Sequence, residues 1–257
     1  MNAKSLMAIL MSGALASASA AAAHDFFLIP QQFEAGTTDP VHIQATIGST
    51  FPTPENVVPA DRVESLRAIG PGDPQVEVVG QGPKALELHL RGAKDGVVAV
   101  AVTSKPREIE YSEDRVPLIL EEYRVAAAAV AAVDALPRPR TWLVTSRRFA
   151  KTFLCVQTCQ DRAAVDRAFG AGLEIVGQRS SNDHFRLLAG GQPLGEYPVD
   201  LVTSDGKRLH LMTDKKGDIH LPSQSRGTMM LFAAKLEPPV GQGRFTLDLT
   251  SLTFKRS

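Results

Sequence analysis

The chain has 257 residues, of which 44% are hydrophobic, and this composition excludes general disorder. Its 28 basic and 28 acidic residues cancel, whereas a protein that binds nucleic acid is usually basic, so no nucleic-acid partner is expected. Charged residues are spread along the chain after residue 30 and leave no apolar run of the ~18 residues that a membrane helix needs. A multispanning membrane protein is therefore excluded.

Residues 1–23 have the three parts of a secretory signal peptide. Lys4 gives a short positive start, residues 5–18 are apolar or small, and small residues fill positions 17–23, where a signal peptidase would cut. The sequence therefore predicts a periplasmic or secreted protein with no membrane span after cleavage. An uncleaved membrane anchor is the alternative.

The two cysteines, Cys155 and Cys159, are too few for a disulfide framework or a four-thiolate zinc site. In an oxidising compartment their spacing favours a local disulfide across a turn. Two alternatives stay open. The cysteines can be two free buried thiols, or a thiolate pair that binds metal or exchanges electrons, for which this spacing is weak evidence.

Short strand patterns separated by turn residues dominate the chain on both sides of one helical segment. Residues 41–47 and 84–91 alternate between apolar and polar, and residues 97–102 form a continuous apolar run typical of a strand buried on both faces. Strand patterns return after residue 140, with hairpins predicted at 204–206 and at 214–217. Strands at this spacing are typical of β-sandwiches.

The helical segment runs from Pro117 to Leu136 and is rich in alanine. Pro117 suits the first helical turn, while Pro137 and Pro139 end the helix and begin a linker. The predicted fold is mainly β, with two Ig-like or transthyretin-like β-sandwich domains and one Ala-rich helix between them. The predicted boundaries are 24–115 for the first domain, 116–140 for the helix and linker, and 141–257 for the second domain.

Motifs for catalysis are missing from the sequence, which contains no glycine-rich phosphate loop, no Gly-x-Ser-x-Gly elbow and no His-Glu-x-x-His helix. The prediction is therefore that the protein is not an enzyme. Six histidines remain as candidate metal ligands, and four of them occupy the polar phase of strand patterns, where an exposed histidine is usually without function. The six are His24, His42, His89, His184, His210 and His220.

His24 differs from the others because it lies next to the predicted cleavage site. A cut after Ala23 makes His24 the first residue, so that its α-amino group and its imidazole can chelate one metal ion. A cut after Ala21 instead leaves Ala22-Ala23-His24, whose amine, two amides and imidazole suit square-planar Cu(II) or Ni(II). Binding at neutral pH must release a proton in either case, because the α-amino pKa is about 7.7–8.0.

Several segments in order along the chain resemble a periplasmic family known as domain of unknown function 4198. The opening His24-Asp25-Phe26-Phe27-Leu28-Ile29-Pro30 is similar to the family's His-Glu-Phe-Trp-Leu-x-Pro start. The other similar segments are 47–52, 103–110, 118–122, 149–152, 213–217 and 228–236. Family members have been labelled as periplasmic components of nickel or cobalt uptake. The resemblance therefore implies two β-sandwich domains and a role in transition-metal handling.

Two residues depart from the family pattern. Position 27 is Phe27, where relatives have Trp, and position 235 is Lys235, where many relatives have His. If relatives bind metal through both histidines, this chain keeps only His24, and a lysine close to it would repel a cation.

The leading hypothesis is a periplasmic protein that binds Ni²⁺, Co²⁺ or Cu²⁺ at His24, with His42, His89 or another strand histidine completing the shell. It would deliver or buffer the metal for a membrane transporter. The alternative is a β-sandwich adaptor that binds a protein or glycan without metal. A third hypothesis, a copper enzyme that cleaves polysaccharides oxidatively, requires a second histidine and an axial tyrosine for which no tyrosine here is a clear candidate.

Overall fold

The computed structural model describes residues 24–36 and 40–256. The predicted signal peptide, residues 1–23, lies outside the described residues. Within the described ranges, no helix is both long enough and apolar enough to cross a membrane.

The chain forms strands on both sides of a helical segment, as the sequence predicts. The first strands are β1 (Asp25–Pro30), β2 (Glu34–Ala35), β3 (Val41–Gly48), β4 (Asn56–Val57), β5 (Val63–Ile69), β6 (Gly72–Gln81), β7 (Leu86–Ala93), β8 (Gly96–Ser104) and β9 (Arg107–Ser112). A 3-10 turn (Ala60–Arg62) precedes β5. The helices are α1 (Val116–Tyr123) and α2 (Ala127–Asp134). The later strands are β10 (Thr141–Val156), β11 (Leu173–Gln178), β12 (Ser181–Ala189), β13 (Gln192–Pro193), β14 (Pro198–Thr203), β15 (Arg208–Met212), β16 (Asp218–His220), β17 (Gly227–Glu237) and β18 (Phe245–Arg256).

A nine-stranded sheet forms the middle layer of the molecule. Its main order is β15-β14-β17-β18-β10-β8-β5, and β2 and β9 also pair with β10. A second sheet has the order β1-β3-β7-β6 with β4 on β3, and a third joins β11, β12, β13 and β16. The second sheet and the helices cover one face of the middle sheet, and the third sheet covers the other face.

Side-chain alternation along the middle strands separates the cores on these two faces. In β8, Val98 and Val100 pack against the second sheet, whereas Val97 and Ala99 belong to the core shared with the third sheet. The helices add a core of their own around the buried Trp142. Two β-sandwich cores therefore share one central sheet, and the predicted mainly β, sandwich-type fold is confirmed.

The middle sheet contains strands from both sides of the predicted domain boundary. β10 pairs in parallel with β18 from Val144 to Thr152, and antiparallel with β8 and β9 from the first half of the chain. The domain limits at 115 and 141 stay a prediction, and the backbone hydrogen bonds of the sheet extend across them.

The prediction of one Ala-rich helix is wrong, because the segment forms two helices. Arg124 adopts a left-handed conformation with φ of 47° and ends α1, and α2 begins after Ala126. A non-glycine residue rarely takes this conformation, so something must hold it there. The Arg124 guanidinium donates to the carboxylate of Asp200 on β14 at 2.5 Å. This ion pair offsets the backbone strain and fixes the end of α1 to the middle sheet.

The second predicted hairpin is also wrong. Residues 214–217 do form a turn, but the strands on either side belong to different sheets. β15 pairs with β14, whereas β16 pairs with β12. The first predicted hairpin, at 204–206, is confirmed as the connection between β14 and β15.

Cys155 and Cys159 form a disulfide at the end of β10, with their Cα atoms 5.2 Å apart. Asp95 accepts hydrogen bonds from the backbone N–H and the hydroxyl of Thr158, inside the bridged loop. The disulfide and these bonds close the loop that follows β10 and hold it against the turn before β8.

Candidate functional site

His24 lies immediately before β1, where the strand meets helix α1. Its backbone nitrogen donates a hydrogen bond to Oε1 of Glu122, near the end of α1, at 3.1 Å. Its carbonyl oxygen accepts a hydrogen bond from Nη1 of Arg148 on β10 at 3.2 Å. The backbone of His24 is therefore held between one carboxylate and one guanidinium that come from different layers of the fold.

A charged cluster lies beneath this position, on the face of β1 that points toward β14 and β15. Asp25 forms an ion pair with Arg208, whose guanidinium also donates to Asp200 at 2.9 Å. Asp200 is the centre of the cluster, since Arg124 and Nδ1 of His210 bind its other oxygen. These contacts connect the start of β1 to the end of α1.

Burial shifts the pKa values of the two carboxyls next to His24. Desolvation raises the pKa of Asp25 to about 6, although the Arg208 guanidinium acts in the opposite direction. Burial also raises the pKa of Glu122, against the opposing effects of its hydrogen bond from His24 and its nearby charges.

The raised pKa of Asp25 predicts a pH dependence of stability. Because the folded protein holds this proton more tightly than the unfolded chain, the free energy of unfolding falls as pH rises from about 4 to about 6. The variant Asp25→Asn lacks this effect, so its stability relative to wild type should improve over that interval by on the order of 3 kcal/mol. Urea unfolding at pH 4 and pH 7 measures the difference, and titration of Glu122 cancels because both proteins carry it. The prediction would be contradicted if the free energies of unfolding of wild type and Asp25→Asn changed by the same amount between the two pH values.

A cavity of about 410 Å³ opens beside His24 on the other side of β1. Its apolar lining includes Phe26, Ile47, Val58 and Ile109. Its charged lining is entirely basic among the described residues and consists of Arg62, Lys105, Arg107 and Arg148. The site around His24 thus has a carboxylate at the backbone nitrogen and a cationic cavity on the opposite side.

Four of the other histidines, His42, His89, His184 and His220, lie away from His24, and the expectation that His42 or His89 completes its shell is wrong. His42 and His89 are cross-strand partners whose rings are 4.3 Å apart. His42 lies six residues before Gly48, the partner of Asp25, which places it roughly 20 Å along the strand from His24. His184 and His220 form a second cross-strand pair in the third sheet.

Lys235 does not face His24. Its neighbours in β17, Phe232, Ala234 and Leu236, pack against the helices, so Lys235 points to the opposite face of the middle sheet. There its Nζ binds Glu237 at 2.5 Å. The predicted repulsion between Lys235 and a metal at His24 therefore lacks a structural basis.

Sequence reasoning missed Glu122 and Arg148 as neighbours of His24. Both come from positions about a hundred residues away along the chain, and the separation from Glu122 is 98 residues. No local pattern marks such a contact. Among residues 24–36 and 40–256, no group of three or more histidine, cysteine, aspartate or glutamate side chains is arranged to hold a metal ion.

Comparison with known proteins identifies the family of this chain. A search of curated proteins found no match. Among solved structures, the D0-D1 domain of Intimin is 13% identical over 89% of this chain and 97% of that chain, with a TM-score of 0.25. The fold assignment rests on the strand pairing described above. The family model for the domain of unknown function DUF4198 matches residues 21–236, and the chain therefore belongs to the DUF4198 family.

Proposed function

We propose that this chain is a periplasmic protein that binds Ni²⁺, Co²⁺ or Cu²⁺ through its mature N-terminus at His24. Its task would be to deliver the metal to a membrane transporter for uptake, or to buffer it. The observation that supports this proposal best is the carboxylate of Glu122, 3.1 Å from the nitrogen of His24.

The separation between these two atoms suits a shared metal ion. Nitrogen and oxygen ligands lie about 2.0–2.2 Å from such ions, so two adjacent ligands are roughly 3 Å apart. If the signal is removed after Ala23, the nitrogen of His24 becomes an α-amine at this position. The amine, the imidazole of His24 and the Glu122 carboxylate would then supply three ligands. Other positions would be left for water or a small ligand.

Glu122 also bears on which of the two predicted chelates could form. With a cut after Ala21, the square-planar chelate requires the amide of His24 to lose its proton. The nitrogen could then no longer donate to Glu122, and the carboxylate would face a negatively charged ligand. The contact with Glu122 therefore suits the chelate made by amine and imidazole, which a cut after Ala23 would produce.

Titration calorimetry with NiCl₂ on exported, metal-free protein tests the proposal. We expect one tight site per chain, which His24→Ala removes and Glu122→Gln weakens about tenfold, equivalent to roughly 1.4 kcal/mol. His220→Ala is the matched control and should bind like wild type, because that histidine lies in the third sheet. Binding that survives His24→Ala would contradict the proposal. Unchanged or tighter binding by Glu122→Gln would favour the cut after Ala21.

A further inference from the structure

We propose that the cavity beside His24 binds a small organic anion that carries two or more carboxylate groups on a hydrocarbon body. The cavity measures about 410 Å³ and lies between β1, β9 and β10. Neither the family match nor the predicted metal chelate assigns a ligand to it.

The first argument is the charge of the lining. Arg62, Lys105, Arg107 and Arg148 all border the cavity, and none of the acidic residues in the described part of the chain does. None of these four cations forms an ion pair with a described carboxylate, although seventeen other ion pairs occur in the same ranges. Four like charges around one concave surface repel one another unless an anion neutralises them.

The second argument is that the hydrogen-bonding groups of these cations are only partly used. Nη2 of Arg62 donates to the carbonyl oxygens of Lys105 and Pro106, and Nη1 of Arg148 donates to the carbonyl oxygen of His24. Each guanidinium has five N–H groups, so most remain for a ligand. The backbone bonds also hold both side chains at the cavity, which prepares them to bind carboxylates.

The third argument is the apolar part of the lining, which separates an organic anion from an inorganic one. Phe26, Val58 and Ile109 offer hydrocarbon surface that phosphate or sulfate cannot use. The volume is also within the range of about 300–1,000 Å³ that small-molecule sites occupy. A molecule with carbon atoms between its carboxylates would bury those apolar surfaces while its charges meet the cations.

The cavity also bears on the proposed metal function. The link between anion and metal described in this paragraph rests on that proposal, whereas the anion site itself does not. Four cations next to His24 disfavour a bare metal ion, whereas an organic acid bound in the cavity would neutralise them. One carboxylate of that acid, close to His24, would then take a coordination position that Glu122 and the chelate leave open. Metal would reach His24 more readily as a complex with the acid.

Calorimetry with tricarballylate on metal-free protein tests the anion site without involving metal. The protein is freed of metal by a chelating resin, because soluble chelators such as EDTA are themselves polycarboxylates. We expect one site, with affinity reduced at least tenfold in Lys105→Gln/Arg107→Gln, two exposed positions whose replacement leaves the core intact. Lys215→Gln, an exposed lysine in another turn, is the matched control and should bind like wild type.

Three outcomes would overturn the proposal. The first is that tricarballylate does not bind, and the second is that the double variant binds it as tightly as wild type does. The third is that inorganic phosphate or sulfate binds as tightly as tricarballylate. The last would show an unspecific basic patch. Circular dichroism confirms that the variants are folded. Titration of NiCl₂ alone into the same proteins reports separately on the metal proposal, so each proposal can fail without the other.

Discussion

Replacing Lys151 by methionine is expected to cost about 3–5 kcal/mol of the free energy of unfolding, a large share of the total for a domain of ordinary stability. Lys151 is completely buried on β10, and its Nζ binds Oε1 of Glu174 on β11 at 2.5 Å. Burial lowers the pKa of Lys151, an effect that the Glu174 carboxylate opposes. Methionine fills similar space but leaves the buried carboxylate without a counter-charge, which is the costly state.

The surroundings of the pair explain why both members are needed. The Lys151 ammonium lies 5.4–5.8 Å from the ring centres of Phe149, Phe153 and Phe169, which offer it cation–π contacts but no hydrogen-bond acceptor. Glu174 accepts hydrogen bonds from the backbone nitrogens of the loop 169–171. The pair therefore joins the third sheet to the middle sheet and also fixes a loop.

A double-mutant cycle separates pairing from general damage. Glu174→Gln keeps an oxygen for the loop nitrogens but removes the charge, and alone it should cost about as much as Lys151→Met. The double variant Lys151→Met/Glu174→Gln contains no buried charge, so its loss should be smaller than the sum of the single losses by at least about 2 kcal/mol. Urea unfolding at pH 7 provides the four values. Additive losses would show that the two charges act independently.

The second largest effect is expected for Asp200→Asn, with a loss of about 3 kcal/mol. Burial alone would raise the pKa of Asp200, but hydrogen bonds from His210 and Arg208 outweigh it and hold this pKa below its usual value. The carboxylate also receives the guanidinium of Arg124, which has the strained left-handed backbone. The asparagine amide would place an N–H₂ donor against the groups that donate to Asp200. It would also leave the guanidinium groups of Arg124 and Arg208 without a counter-charge from residue 200.

Asp205→Asn supplies the comparison for this variant. Asp205 pairs with Lys207 in the exposed turn between β14 and β15, so the same chemical change should leave the urea midpoint close to that of wild type. Equal midpoints for the two variants would contradict the central role of Asp200. Asp200→Asn should also weaken Ni²⁺ binding, because Arg208 and Arg124 connect this cluster to Asp25 and to the end of α1.

Local patterns predicted the individual strands well. The alternation of residues 41–47 gives β3, and the apolar run 97–102 gives the buried β8, because side-chain period follows directly from strand geometry. Local patterns did not predict which strands pair within the same sheet. β10 pairs in parallel with β18, about a hundred residues later, and no turn or repeat in the sequence marks that partnership.

The same limit applies to the helix and the site. No glycine or proline interrupts residues 118–136, so the break at Arg124 depends on a partner, Asp200, in another layer. His24 could be selected from the sequence because its place after a signal-like segment is a local property. Its contact with Glu122 and the cationic cavity beside it are properties of the assembled fold.

Native mass spectrometry of the protein exported to the periplasm, with and without NiCl₂, tests whether the mature N-terminus binds metal. The metal-free mass identifies the first residue of the mature chain, and the mass with nickel counts the bound ions. We expect a chain that begins at His24 and gains one nickel ion, and we expect His24→Ala to abolish that gain. A mature chain that begins at His24 and takes up no nickel, cobalt or copper would contradict it.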